Sequence, residues 1–356
     1  MKKKVFCGDV QIGGGAPVSI QSMTNTATAD VKSSLEQIAA LRDAGCEIIR
    51  LAVPDMEAAA ALKEIKRKAG IPVVADIHFD YRLALESMKS GVDKIRINPG
   101  NIGDRENIKK VVDMAKEREI PIRVGVNSGS LEKDILEYYG RVTAEGLAES
   151  ALRNVRILED FNYDNIVISL KSSNVPMNYQ AYKIVNEACD YPLHIGVTEA
   201  GIPSRGRIKS AAGVGALLLE DIGDTMRISL TANPVEEIIM ARELLAALGM
   251  RKEKAEIVSC PTCGRTEVNL EVIATEIDRR VTALYDRLGA SARPVKIAVM
   301  GCVVNGPGES KGADIGVACG KGKGVIFEKG EIIKTVSEDE ITDEILRLAE
   351  EYSTRC

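Results

Sequence analysis

The chain has no tryptophan, only two histidines, and no apolar run long enough to cross a bilayer. Lacking such a run, it is excluded from the helical membrane proteins. Its first residues, Met1-Lys2-Lys3-Lys4-Val5, also lack the apolar core of a secretory signal. The expected compartment is the cytoplasm, where eight cysteines serve as reduced thiols and metal ligands rather than disulfides. Charge of one sign is not in excess either: a net charge of -5 gives no reason to expect nucleic-acid or membrane partners. Gly13-Gly14-Gly15 lacks the Lys-Ser/Thr ending of a phosphate loop and reads as a turn between initial strands. There is no low-complexity tract.

At 356 residues the chain is long enough for one large domain and one small one. From 18 to about 249 a short β-branched run followed by an amphipathic segment recurs. The pattern predicts strands over 18–26, 47–53, 72–78, 94–99, 121–127, 165–171, 192–199 and 225–231. Helices are predicted over 31–44, 56–69, 105–119, 143–160 and 235–248, with Gly45, Gly70, Gly91 and Gly249 where helix ends favour a left-handed residue. Eight strand–helix units favour a (β/α)8 TIM barrel over its main rival, an open doubly wound sheet. A short charged linker at 249–254 bounds a barrel over 1–249 and a small α+β domain over 250–356. In the latter the pattern predicts a strand at 256–259, a long helix at 268–288 and a strand at 295–300. Glycine-rich hairpins near 320–324 and Gly330 follow, then a closing helix at 343–352.

Barrel enzymes carry their working residues at the C-terminal ends of strands. Arg50 lies on strand two, Asp76 and His78 end strand three, and Arg96 and Asn98 end strand four. Arg123 and Asn127 lie on strand five, Lys171 ends strand six, Glu199 ends strand seven, and Arg227 and Ser229 lie on strand eight. Five cations converging on one mouth are costly without an anion among them, and arginine suits bidentate capture of phosphate. A substrate with more than one phosphate is therefore expected. Glu199, in Gly196-Val197-Thr198-Glu199-Ala200-Gly201, is the acid/base candidate. Its alternative is a structural ion pair with Lys209 or an arginine, Lys209 being otherwise counted, with Asp76 and His78, among the substrate-binding set. His194 falls inside strand seven and is expected in the core.

Cys260-Pro261-Thr262-Cys263 places two thiols on one small volume, and Cys302 follows a strand in Gly301-Cys302-Val303-Val304-Asn305-Gly306-Pro307-Gly308-Glu309. Three cysteines leave one metal position for Cys319, Glu309 or substrate. Zinc with a fourth cysteine makes a closed structural site; an iron–sulfur cube on three cysteines leaves one iron open for Lewis-acid and electron-transfer chemistry. Spacing alone leaves both open. Cys7, Cys46, Cys189, Cys319 and Cys356 are by default buried or free thiols.

Taken in order, several long motifs resemble the 4-hydroxy-3-methylbut-2-enyl diphosphate synthase family of the methylerythritol phosphate route to isoprenoids. They are Gln21-Ser22-Met23-Thr24, Ala75-Asp76-Ile77-His78-Phe79, Arg96-Ile97-Asn98-Pro99-Gly100-Asn101-Ile102-Gly103, and Gly125-Val126-Asn127-Ser128-Gly129-Ser130-Leu131. His194-Ile195-Gly196-Val197-Thr198-Glu199-Ala200-Gly201, Cys260-Pro261-Thr262-Cys263-Gly264-Arg265 and Met300 through Glu309 complete the set. The resemblance runs almost end to end and is to the compact bacterial two-domain form.

It implies an oxidoreductase with a 4Fe-4S cluster on Cys260, Cys263 and Cys302, and Glu309 on the fourth iron when substrate is absent. It implies reductive ring opening of 2-C-methyl-D-erythritol 2,4-cyclodiphosphate with two electrons from flavodoxin or ferredoxin. Under it Arg50, Arg96, Arg123 and Lys171 hold the diphosphate, Asn127, Arg227 and Ser229 complete the cradle, and Glu199 handles a proton. It also implies a head-to-tail homodimer in which one subunit's cluster domain caps the other's barrel, an arrangement with which the short linker agrees. Two rivals make different predictions: a zinc-capped barrel is colourless and needs no reductant, and a pterin-binding barrel binds a pterin.

Overall fold

A computed structural model describes residues 2–252, 255–289, 292–302 and 312–354. Two compact units divide it, Met1–Arg251 and Lys252–Cys356.

The first unit opens with a hairpin, β1 (Val5–Cys7) and β2 (Val10–Ile12), and continues through eight parallel strands. These are β3 (Ser19–Met23), β4 (Ile48–Val53), β5 (Val73–Ile77), β6 (Lys94–Ile97), β7 (Ile122–Asn127), β8 (Ile166–Lys171), β9 (His194–Ile195) and β10 (Thr225–Met226). They run in the order β8-β7-β6-β5-β4-β3-β10-β9, and a parallel bridge between Ile168 and Leu193 joins the two ends of that series. The sheet is thus closed into the TIM barrel that the eight units favoured, not left open.

Helices α1 (Val31–Asp43), α2 (Met56–Lys68), α3 (Tyr81–Lys89), α4 (Arg105–Glu117), α5 (Lys133–Tyr139), α6 (Ala144–Glu159), α7 (Val175–Ala188), α8 (Pro203–Leu218) and α9 (Pro234–Ala247) belong to the same unit. Most start on a short polar side chain that accepts a first-turn amide: Asp30 from Ser33, Asp55 from Ala58, Asp104 from Asn107, Asn174 from Met177. Gly45, Gly70, Gly91 and Gly249 all take positive φ, as the pattern predicts. Apolar helix faces and strand residues such as Ile49, Leu51, Ile95 and Val124 form one large core between sheet and helices.

Strand residues alternate between that core and the barrel interior. Ile48 and Val74 share the inward face with Arg50 and Asp76. Val5, Cys7 and Ile12 of the hairpin pack on Ile48, Val74 and Val167, sealing the N-terminal end of the barrel.

The two last barrel strands are shorter than the predicted 192–199 and 225–231, for a reason visible in their hydrogen bonds. Asn178 Nδ2 donates to the Gly196 carbonyl, which takes it out of the ladder. Beyond Met226, the Leu230 amide donates to Glu237 and the Thr231 amide to the Gly201 carbonyl rather than to a neighbouring strand. Glu199 and Ser229 therefore lie in loops that follow their strands, while Arg227 directly follows β10 with its amide still donating to the Ile195 carbonyl of β9.

In the second unit five strands pair as β11 (Ala255–Ser259), β12 (Val295–Met300), β13 (Ile315–Gly320), β14 (Lys323–Glu328) and β15 (Glu331–Ser337), in that order. The first three are parallel and the last three antiparallel. Helix α10 (Leu270–Leu288) and the closing helix Ile341–Thr354 cover one face through Ile277, Val281, Ile345 and Leu348. Among the described residues no helix is long and apolar enough to cross a membrane.

Candidate active site and metal centre

The mouth of the barrel gathers most of the polar residues expected there. Register brings Asp76 opposite Arg96, Arg96 opposite Arg123, and Asn127 opposite Lys171 on adjacent strands. Arg50, Asp76, Arg96, Asn98, Arg123 and Lys171 are all buried. Asp76 is the hub: Arg96 Nη1 donates to its Oδ1 at 3.2 Å, and Arg50 Nε lies 3.8 Å from Oδ2. Arg96 Nη1 also donates to His78 Nε2 at 2.9 Å, and Nη2 to the Gly125 carbonyl at 3.2 Å. The approach requires a glycine, because a Cβ on Gly125 would meet Arg96 Nε. Gly196 is required by a different approach: an added Cβ would lie 2.6 Å from the Arg227 carbonyl oxygen and 3.2 Å from Lys171 Nζ.

On the other side, Arg227 Nε donates to Glu237 Oε2 at 3.4 Å. Glu237 is buried on α9 and was not singled out from the sequence, where it is one of two acids in a first helical turn. Its partners explain it: it accepts from Ser22 Oγ at 3.3 Å and from the Leu230 amide at 3.0 Å, fixing the loop that carries Arg227.

Five cations and two carboxylates are an unbalanced set. Burial pulls the Arg50 pKa down to about 10, with Asp76 opposing the fall and Arg227 and Arg96 adding to it. Arg123 and Lys171 are pulled well below their ordinary values, first by burial and then by neighbouring cations. Burial acts to raise the Asp76 pKa, but Arg50, His78, Arg96 and Arg123 together hold it well below the usual carboxylate range. Among the described residues Arg123 Nε and Nη1 have no hydrogen-bond partner. Buried guanidinium donors left in that state are poised for an oxyanion.

Other expected residues sit at the rim. Asn127 and Ser229 are half-buried, and His78 is exposed. Glu199 is exposed in the loop after β9 with φ 51°, and Phe79, next to His78, has φ 65°. Glu119, Asn162, Asp221 and Lys329 share this left-handed backbone outside the mouth, so it does not by itself mark the site. Lys209 projects from the exposed side of α8 and makes no ion pair with Glu199 among the described residues. His194 is fully buried, as expected of a core residue, and burial followed by the nearby cations pushes its pKa well down.

Both halves of the chain match the GcpE family, its "GcpE TIM-barrel domain" over residues 2–242 and its "GcpE protein C-terminal domain" over residues 256–351. The chain belongs to that family. A relative in Caldanaerobacter subterraneus subsp. tengcongensis, named 4-hydroxy-3-methylbut-2-en-1-yl diphosphate synthase (flavodoxin), is 56% identical over 347 residues, 98% of this chain and 96% of its own. One of the same name in Clostridium acetobutylicum is 56% identical over 345 residues, 97% of each chain. The chain is accordingly an enzyme, an oxidoreductase.

Within the second family domain the cysteines lie at the C-terminal ends of two adjacent parallel strands. Cys260 follows β11 and Gly301-Cys302 follow β12. The Gly301 amide donates to Cys260 Sγ at 3.2 Å, the kind of N–H···S bond that stabilises a ligating thiolate. Cys263 is exposed in a turn closed by Thr266, whose amide donates to the Cys263 carbonyl at 2.9 Å. The Arg265 backbone amide is the chief cause of a lowered Cys263 pKa. Cys319 stands on β13 one residue past the Met300–Ala318 pair, with its side chain packed among Ile315 and Val317 under the helices, and burial, then Glu338 and Cys260, push its thiol up to about 12. Glu309 and Cys356 lie outside the described residues. Among the described residues no three Cys, His, Asp or Glu side chains already surround one point as ligands. Donor chemistry and strand-end placement nevertheless suit three thiolates on one cluster.

Proposed function

We propose that the chain converts 2-C-methyl-D-erythritol 2,4-cyclodiphosphate to 4-hydroxy-3-methylbut-2-enyl diphosphate by reductive ring opening and dehydration. Two electrons enter from flavodoxin or ferredoxin, the ring C–O bond to phosphate breaks, and a hydroxyl takes up a proton and leaves as water. The names of the relatives support the product and a flavodoxin donor. The observation that carries the substrate class is the excess of buried cations over carboxylates at the barrel mouth, with two Arg123 donors unpartnered among the described residues.

A 4Fe-4S cluster on Cys260, Cys263 and Cys302, with Glu309 completing the set, supplies electron transfer and a Lewis-acidic iron. Arg50, Arg96, Arg123 and Lys171 bind the two phosphates, and Arg227, Asn127 and Ser229 close the cradle. Asp76 and Glu237 keep the guanidinium groups apart and aimed when no anion is present. Glu199, exposed at the rim, holds or delivers the proton that the departing hydroxyl needs. His78 orients Arg96, and Lys209 draws the anion in from the surface. The barrel over 1–249 is the substrate domain and 250–356 the cluster domain of a cytoplasmic head-to-tail homodimer.

Anaerobic preparation, iron and sulfide analysis, and assay with the cyclodiphosphate and reduced flavodoxin test this reading. About four irons per chain and reductant-dependent product are expected. A colourless protein holding about one zinc and giving no product overturns it.

A further inference from the structure

The strand segment Gln21-Ser22-Met23-Thr24 touches the cradle without contributing a charge to it. Met23 stands opposite Arg50 in the β3–β4 ladder. Its thioether sulfur accepts from Arg50 Nε at 3.2 Å and Nη2 at 2.9 Å, and from Arg227 Nη1 at 3.5 Å. Three N–H donors from two guanidinium groups thus converge on one sulfur. A thioether is a weak, uncharged and polarizable acceptor, so it cannot neutralise the pair or rival a phosphate oxygen. The residue before it acts on the same arginine from behind: Ser22 Oγ donates to Glu237, which holds Arg227 Nε. Strand alternation is what sends these neighbours to opposite faces.

We propose that Met23 is a positioning residue for the phosphate cradle. Its sulfur keeps the Arg50 and Arg227 forks converged while the cradle is empty, then gives them up to the oxygens of the arriving diphosphate. The inference rests on the cradle reading above. The task calls for an acceptor strong enough to gather two like charges and weak enough to be displaced. Leucine has similar bulk but no acceptor, and a carboxylate would capture both arginines in competition with substrate. Donors already aimed lose less freedom on binding, so the sulfur acts on affinity rather than on the chemical step.

The test uses the full-length enzyme carrying its metal centre, labelled with 13C at the methionine methyl groups, and inorganic pyrophosphate as the probe. Of ten methionines, the signal missing in Met23→Leu is that of Met23. Saturating pyrophosphate is expected to shift that signal, because both guanidinium groups leave the sulfur. Met23→Leu is expected to bind pyrophosphate about five- to tenfold more weakly, and to raise KM for the cyclodiphosphate by the same factor at unchanged kcat. Met23→Gln, which restores an acceptor of similar length, should recover most of the affinity. Should the leucine variant not fold, the glutamine variant assigns the signal and the wild-type shift decides. A leucine variant that binds like wild type, a glutamine variant as weak as leucine, or a Met23 signal unmoved at saturation overturns the inference and leaves the cradle standing. A wild-type protein that binds neither pyrophosphate nor the cyclodiphosphate overturns the cradle itself.

Discussion

Gly125 and Arg96 stand on neighbouring strands with no room for a methyl group between them: a Cβ on Gly125 would lie 2.3 Å from Arg96 Nε. Gly125→Ala must therefore push the guanidinium away from Asp76 and from the Gly125 carbonyl. Displacement of a positioning group by about 1 Å costs on the order of a hundredfold in rate, so kcat/KM should fall by about that factor. Steady-state kinetics beside a thermal melt check it, and a variant with wild-type kcat/KM would show that Arg96 is not placed by this contact.

Asp76 offsets three buried cations, and its removal leaves them uncompensated. Asp76→Asn should lower the stability of the barrel by about 3 kcal/mol, the usual cost of breaking a buried ion pair. Millimolar pyrophosphate should return part of the loss by replacing the missing charge. Urea unfolding with and without the anion measures both, and destabilisation insensitive to pyrophosphate would separate Asp76 from the anion site.

Lys94 is fully buried in the barrel interior, its ammonium has no hydrogen-bond partner among the described residues, and burial pulls its pKa down to about 8. Below pH 8 the lysine is charged in folded and unfolded chains alike, so the full burial penalty is present. Between pH 8 and the ordinary 10.5 the folded protein has released the proton while the unfolded chain keeps it, so this contribution to stability rises with pH. Lys94→Met should accordingly stabilise the protein by roughly 3 kcal/mol at pH 7, with the gain shrinking as pH climbs from 8 toward 10.5. Paired unfolding curves across that range test the sign, and a gain that grows with pH contradicts it.

Cys302 and Cys319 are both buried cysteines of the second unit, but they should answer differently to alanine. Cys302→Ala should lose most of its iron, whereas Cys319→Ala should keep its iron and lose about 1–2 kcal/mol of stability from the shrunken core. Iron analysis of anaerobically prepared variants distinguishes them. Iron loss from Cys319→Ala would make that thiol a ligand.

The barrel and most of the mouth were legible because they depend on local periodicity and on one general rule of the fold. Charged residues such as Arg50, Arg96 and Lys171 stand out at the ends of apolar strands. Glu237 did not stand out, and Met23 did so only inside the Gln21-Ser22-Met23-Thr24 motif with no role attached, since an acid in a first helical turn and a methionine on a strand have ordinary explanations. Only the register of β3 against β4, and the packing of α9 behind β3, turns them toward Arg227 and Arg50. The short β9 and β10 were hidden for a related reason: their apolar runs continue, but side chains and distant carbonyls claim the backbone groups that a longer ladder would use.

The hairpin that packs Val5, Cys7 and Ile12 against the inner face of the sheet makes the barrel a vessel stoppered at its base. With that end covered, the cluster of Arg50, Asp76, Arg96, Arg123 and Lys171 is left to face the C-terminal ends of the strands. On the proposed reading, substrate and product diphosphate approach those arginines from the same end, so the product should inhibit competitively with the substrate.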